Sequence, residues 1–169
     1  MTRPALEVHR LLLARGETVA VAESLTGGAL GAELTTVPGV SATFRGGVTA
    51  YATALKADLL GVDRALLARV GAVHPEVARQ MARGVRDRLS ATYGLAITGV
   101  AGPDPQDGHP PGEVHLALAG PAGETSLALG VTGDREAVRA ESVRRALAMV
   151  RDALLRAGDH LGDHGEAPP

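Results

Sequence analysis

The residues Thr18-Val19-Ala20-Val21-Ala22 are apolar almost throughout, and they run directly into Glu23-Ser24-Leu25-Thr26-Gly27-Gly28. A strand without polar alternation is a strand covered on both faces. The segment after the glycines, Ala29 to Thr35, reads as a short helix stopped by Pro38-Gly39. A buried strand, a glycine turn and a helix in that order constrain the chain to a layered α/β fold.

The rest of the chain repeats the pattern. A helix is predicted over Pro4 to Arg15, with Leu6, Leu11, Leu12 and Leu13 apolar and Gly16 as its stop. Phe44 to Tyr51 reads as a second strand. A helix over Ala54 to Leu60 follows, with Thr53 as N-cap and Gly61 as stop. Asp63 caps a short helix through Arg69, and Pro75 opens a longer one over Glu76 to Leu89. Tyr93 to Thr98 is a further buried strand. Glu113 to Ala119 and Thr125 to Val131 alternate about Pro121-Ala122-Gly123-Glu124, as a hairpin does. Asp134 caps a last helix, Arg135 to Arg156, with Val143, Leu147, Val150 and Leu154 as its buried stripe. The expected architecture is one α/β domain over residues 1–157, with a mixed sheet of about five strands and helices on both faces. Residues 158–169, polar with Gly and Pro, are expected to form a disordered tail.

Composition narrows the function. The net charge of −2 and pI near 6.3 argue against a nucleic-acid surface. With only Phe44, Tyr51 and Tyr93 as aromatics, there is no platform for stacking bases. The chain has no cysteine, which excludes a disulfide scaffold, a thiolate zinc site and a cysteine nucleophile. No apolar run reaches the ~18 residues of a membrane span, and the first residues lack a signal-cleavage pattern. The cytoplasm is the expected location. A homo-oligomer is compatible with the sequence but not specified by it.

Among 17 Lys and Arg, Lys56 is the single lysine. Arg keeps its proton in proteins, whereas Lys loses it when its pKa is lowered. A general-base role is one reason for a position to remain Lys; packing or chance is the other.

Ser24 sits between a buried strand and a helix, beside Thr26, Gly27 and Gly28. The glycines let backbone approach a ligand, and amides at a helix start can hold a phosphate or an oxyanion. Ser24 can be a nucleophile or a plain helix cap. The hydrolase elbow Gly-x-Ser-x-Gly is absent. Lys56 lies on the helix after the second strand, with Tyr51 at that strand's end. Parallel strands end on one edge of their sheet, so Ser24 and the Tyr51–Lys56 segment can converge there. A Ser–Lys pair needs a neutral lysine, which costs on the order of 4 kcal/mol supplied by burial or nearby cations. The alternative is a solvated lysine.

Thr98-Gly99-Val100-Ala101-Gly102-Pro103 ends a third strand on the same edge, as a ligand loop or a turn. The loop Gly99 to Gly112 is long enough to be functional. Arg135 and Arg139 lie one turn apart at a helix start, which suits a phosphate as well as an ordinary solvated helix end. His9 and His74 are isolated, His115 is expected to be solvated, and His109 is within reach of a substrate in the long loop. His160 and His164 have i, i+4 spacing beside Asp159 and Asp163 in the tail. No cluster has convincing metal-ligand spacing.

Taken in order, these segments resemble the CinA C-terminal domain family. They are Ala22 to Gly28, Phe44-Arg45-Gly46-Gly47-Val48 leading to Tyr51 and Lys56, and Leu59-Leu60-Gly61-Val62. Gly71-Ala72-Val73, Ile97 to Pro103, Pro111-Gly112-Glu113-Val114, Gly133-Asp134-Arg135 and Val138-Arg139 complete the set. The resemblance runs from about Leu6 to Leu155. It implies a three-layer α/β/α protein that hydrolyses the amide of nicotinamide mononucleotide to nicotinate mononucleotide and ammonia. It also implies a Ser–Lys dyad with no metal or cofactor. By position, Ser24 would be the nucleophile, Lys56 the base and Tyr51 an assistant. Thr98 with its backbone neighbours, Gly99 included, would contact substrate. Arg139, with Arg135, would hold the phosphate.

Thr53 departs from the Asn common in the family. The N-terminal domain that many members carry is expected to be absent. The competing readings are a non-catalytic module for a phosphorylated nucleotide and an interaction protein of DNA uptake or damage response.

Overall fold

The structure is a computed structural model and describes residues 4–159. Its elements are α1 (Pro4–Arg15), β1 (Val19–Glu23), α2 (Ala29–Thr35), β2 (Phe44–Thr49), α3 (Thr53–Leu60), α4 (Arg64–Val70), α5 (Pro75–Arg88), β3 (Tyr93–Gly99), β4 (Glu113–Gly120), β5 (Gly123–Gly130) and α6 (Arg135–Asp159). A short 3-10 turn, Val40–Ala42, precedes β2.

The strands form one mixed sheet in the order β2-β1-β3-β4-β5. β1 is parallel to both β2 and β3, with Ala22 opposite Val48 on one side and Ala96 on the other. β4 and β5 complete the sheet as an antiparallel hairpin. The chain leaves β1 toward β2, then returns across it to β3. The loops after β1 and β3 therefore part at the carboxyl edge, the usual ligand crevice of open α/β sheets.

The two faces are filled differently. Val19, Val21, Leu95, Ile97, Leu116 and Leu118 meet α1, α2 and α6 on one face. Ala20, Ala22, Ala96, Ala117 and Ala119 meet the layer of α3, α4 and α5 on the other. Small residues there let α5 approach the sheet. A Cβ on Gly94 would stand 2.0 Å from the Ala82 carbonyl oxygen of α5, and within the helical layer one on Gly84 of α5 would stand 1.8 Å from the Leu60 carbonyl oxygen of α3. Every residue of β1 and β3 is buried, as their unbroken apolar runs predict.

Several boundaries differ from the sequence reading. β2 ends at Thr49, so Tyr51 lies beyond the strand. Thr53 is the first helical residue of α3 and Ala52 holds the cap position without a side-chain bond. Asp63 caps α4 as expected, accepting from the Ala65 amide. His74 is not idle: its ring nitrogen caps α5 by accepting from the Glu76 amide at 3.1 Å. His115 is buried rather than solvated, because its side of β4 is the one α5 covers, and Nε2 bonds Glu113 at 2.9 Å. His9 is likewise buried, its Nδ1 2.8 Å from the Thr43 hydroxyl. α6 continues through Asp159, past Gly158 where a tail was expected. The remainder of that tail, with His160 and His164, lies outside the described residues.

Candidate active site

Glu23 sets the geometry at the end of β1. Its side chain is buried, and its carboxylate accepts from the amides of Gly28 at 3.1 Å, Leu30 at 3.0 Å and Gly31 at 2.9 Å. The chain must loop back tightly for these amides to reach it. Gly27 and Gly28 supply the left-handed backbone that this demands, at φ of 61° and 101°. The first amides of α2 are therefore committed to Glu23. They are not free to hold a phosphate or oxyanion, contrary to the expectation from the glycine turn. Ser24 is fixed by its own amide, which donates to the Ile97 carbonyl at 3.1 Å.

Lys56 is fully buried on the inner face of α3, one turn before Leu60. Its Nζ donates to Ser24 Oγ at 3.0 Å and to the Ala50 carbonyl at 2.8 Å. Burial pushes its pKa down from 10.5 to about 8. The lysine is thus tethered at Ala50, aimed at Ser24 and ready to lose its proton. Sequence spacing brings these residues to one edge, and the folded chain places them in contact.

The lowered pKa bears on stability. Between pH 8 and 10.5 the unfolded chain holds this proton and the folded one releases it, so stability rises with pH across that window. Below pH 8 the penalty is complete, at about 3 kcal/mol. Lys56→Met keeps the length and removes the charge. After loss of two hydrogen bonds it is expected to stabilise the fold by about 1–2 kcal/mol at pH 7 in urea titrations. That gain should fade above pH 10.

A cleft of about 230 Å³ opens beside Ser24, bounded by Tyr51, Gly99, Gly102, Gln106 and Arg135. Arg135 spans its mouth, donating from Nη1 to the Gly102 carbonyl at 2.9 Å and from Nη2 to the Tyr51 hydroxyl at 2.7 Å. Tyr51 is 57% exposed and meets Arg135 rather than Lys56. Leu25, Ala101 and Gly102 line the same wall, and their backbone amides make no hydrogen bond among the described residues. They are candidate donors to an oxyanion, in place of the α2 amides.

Other expected site residues stand back from the cleft. The Thr98 hydroxyl is buried and donates to the Ala72 carbonyl at 2.8 Å, so the side chain ties β3 to the segment after α4. Gly99, next along, lines the cleft. A Cβ there would stand 2.4 Å from the Glu113 carbonyl oxygen. Thr26 is fully buried, and its hydroxyl has no partner among the described residues. Arg139 donates to the Thr26 carbonyl at 2.9 Å and braces the Ser24 loop, and Arg135 is the arginine at the mouth. Glu23 escaped the sequence reading as a site residue. Its signal was a carboxylate ending an otherwise apolar strand. No group of three or more His, Asp or Glu is arranged for a metal among the described residues.

The fold is that of an α/β protein in which a serine at the carboxyl edge of the parallel strands is bonded to a buried lysine on α3. The model of the CinA C-terminal domain matches residues 2–154, and the chain belongs to that family. It is similar to a CinA-like protein of Frankia casuarinae, at 55% identity over 85% of this chain and 33% of that protein. A CinA-like protein of an Anaeromyxobacter species is 51% identical over 89% of this chain and 37% of its own length. The chain thus spans about a third of these relatives. Among solved structures, a competence-damaged protein (CinA) superfamily member from Klebsiella pneumoniae superposes with a TM-score of 0.87 at 34% identity. It covers 90% of this chain and 96% of its own. The competence/damage inducible protein CihA of Agrobacterium tumefaciens gives 0.82 at 34% identity, covering 91% of this chain and 97% of its own. The mixed five-strand α/β architecture is that of these structures. No described helix is long and apolar enough to cross a membrane.

Proposed function

We propose that the chain is an amidohydrolase that converts nicotinamide mononucleotide and water to nicotinate mononucleotide and ammonia through an acyl-enzyme on Ser24. The observation that carries this reading is the 3.0 Å contact between Ser24 Oγ and a fully buried lysine. Nothing in a helix cap requires that arrangement. Neutral Lys56 takes the Ser24 proton as Oγ attacks the carboxamide carbon. The oxyanion rests on the unbonded amides of Leu25, Ala101 or Gly102. The C–N bond breaks and ammonia leaves with the proton from Lys56. Water, giving a proton back to Lys56, then cleaves the ester and restores Ser24.

The cleft is smaller than the ~300 Å³ typical of whole-ligand pockets. It suits the carboxamide ring, with ribose and phosphate toward the rim. Arg135 at that rim offers charged donors for the phosphate.

Purified, chelator-treated protein is expected to release ammonia from nicotinamide mononucleotide. Saturable binding without ammonia would instead identify a nucleotide-binding module. The reaction has a pH signature. Lys56 must be neutral, and at pH 7 only roughly a tenth of it is. kcat/KM should rise about tenfold per pH unit below pH 8 and level off above it. A profile flat from pH 6 to 9 would remove Lys56 as the base.

A further inference from the structure

The loop between β3 and β4 walls the cleft opposite Tyr51 with Asp104, Pro105 and Gln106. Backbone bonds close its base. The Gly112 amide donates to the Val100 carbonyl at 2.8 Å, and the Val100 amide to that of Glu113 at 2.9 Å. Further out, Gln106 and His109 exchange backbone hydrogen bonds of 3.1 and 2.8 Å about Asp107-Gly108. Both turn residues have positive φ, 51° and 82°, as a tight two-residue turn requires. A Cβ on Gly71 would stand 3.3 Å from the Asp107 carboxylate, so the turn leans on the chain just after α4.

Side chains fasten this outer part to the sheet. Glu113 opens β4, so its carboxylate belongs to the sheet rather than to the loop. His109 Nδ1 lies 3.0 Å from one of its oxygens and His115 Nε2 lies 2.9 Å from the other. An ionised carboxylate only accepts, so each ring donates. Burial raises the Glu113 pKa, but the bonds from His115 and His109 outweigh it and hold the carboxyl below its ordinary range. His115 is buried, sits two residues on along β4 and shares Glu113's side of the strand. Its other ring nitrogen has no partner among the described residues, so its one bond goes to Glu113. His109 is the arm on the loop. Its ring is spent on Glu113 and does not line the cleft, contrary to the expectation that it meets substrate. The contacts run without a break from Gln106 at the cleft through His109 to Glu113 and His115.

We propose that Glu113 is a positioning residue for the cleft: through His109 it holds the Gln106 wall against which the substrate sits. The clasp is independent of the reaction; the substrate it serves is that of the amidohydrolase reading. Breaking it frees the wall while Ser24 and Lys56, placed by β1 and α3, stay in contact. The loss therefore falls on KM more than on kcat. His109→Ala cuts the clasp from the loop side and leaves β4 untouched, and Glu113→Ala cuts it from the sheet side. Each is expected to raise KM for nicotinamide mononucleotide about 10-fold, with kcat changed less than about threefold. His109→Ala/Glu113→Ala should lose no more than Glu113→Ala alone. His109→Asn keeps an N–H where Nδ1 stands and should hold KM near the wild-type value. Hydrogen exchange at the Gln106 and His109 amides should quicken at least ~10-fold in both alanine variants. An unchanged KM, additive losses, or a His109→Asn as impaired as His109→Ala would overturn the positioning role. A wild type that releases no ammonia would remove the amidohydrolase reading alone, and exchange would then decide the clasp. Lost protection in Glu113→Ala and His109→Ala would uphold it, and unchanged protection would refute it.

Discussion

Lys56→Arg is expected to lower kcat for ammonia release by at least ~10³-fold, although the positive charge is kept. Charge alone does not serve the proposed reaction. Nζ must accept the Ser24 proton, and burial brings its pKa to about 8 so that it can. A guanidinium keeps its proton at any working pH. It is also larger than the space that a fully buried lysine fills between Ser24 and Ala50. Because an ill-fitting arginine can disturb the core, Lys56→Met serves as its companion. That variant should be equally inactive yet at least as stable as the wild type at pH 7. Steady-state ammonia release beside a urea titration separates the two effects. A Lys56→Arg protein that turns over at near wild-type rate would exclude proton transfer through this residue.

Glu23→Ala is expected to destabilise the fold by about 3–5 kcal/mol. One buried carboxylate satisfies three amides at the start of α2. Removing it leaves those amides without an acceptor and opens a cavity beneath the Ser24 loop. Glu23→Gln keeps the volume but turns one accepting oxygen into an NH2 donor that faces at least one of these amides, so a loss of about 2–3 kcal/mol is expected. Both should lower kcat, since Ser24 is the next residue and its position relative to Lys56 depends on this turn. Chemical denaturation gives the stabilities. A loss below 1 kcal/mol for Glu23→Ala would mean that the loop is held by Gly27, Gly28 and Arg139 instead.

Much of this site was legible in the sequence, for physical reasons. Buried parallel strands leave unbroken apolar runs, so β1 and β3 and their glycine-ended loops were plain. Parallel strands share a carboxyl edge, so topology allowed Ser24 and Lys56 to converge while leaving a solvated lysine equally open. The single lysine among arginines set Lys56 apart, with a base role and chance both open until the neighbouring motifs were considered. What sequence could not supply was the direction of each side chain. Thr98 and Gly99 are adjacent, but in a strand neighbours face opposite ways, and only Gly99 reaches the cleft. Arg135 and Arg139 share a helix face, yet one turn of rise puts the first at the mouth and the second behind Thr26. Glu23 hid because a buried carboxylate is expected only where partners exist, and its partners are backbone amides that no residue type announces. His115 was misjudged for a related reason: alternation in β4 assigned it a face but not whether α5 covered that face.

The most direct test of the Ser24 centre compares ammonia release from nicotinamide mononucleotide by the wild type and by Ser24→Ala. Nucleotide binding should be measured on both. The expected result is turnover by the wild type, and none by a Ser24→Ala protein that still binds. Sustained ammonia release from Ser24→Ala would contradict the acyl-enzyme and leave the buried Lys56 pair without its proposed purpose.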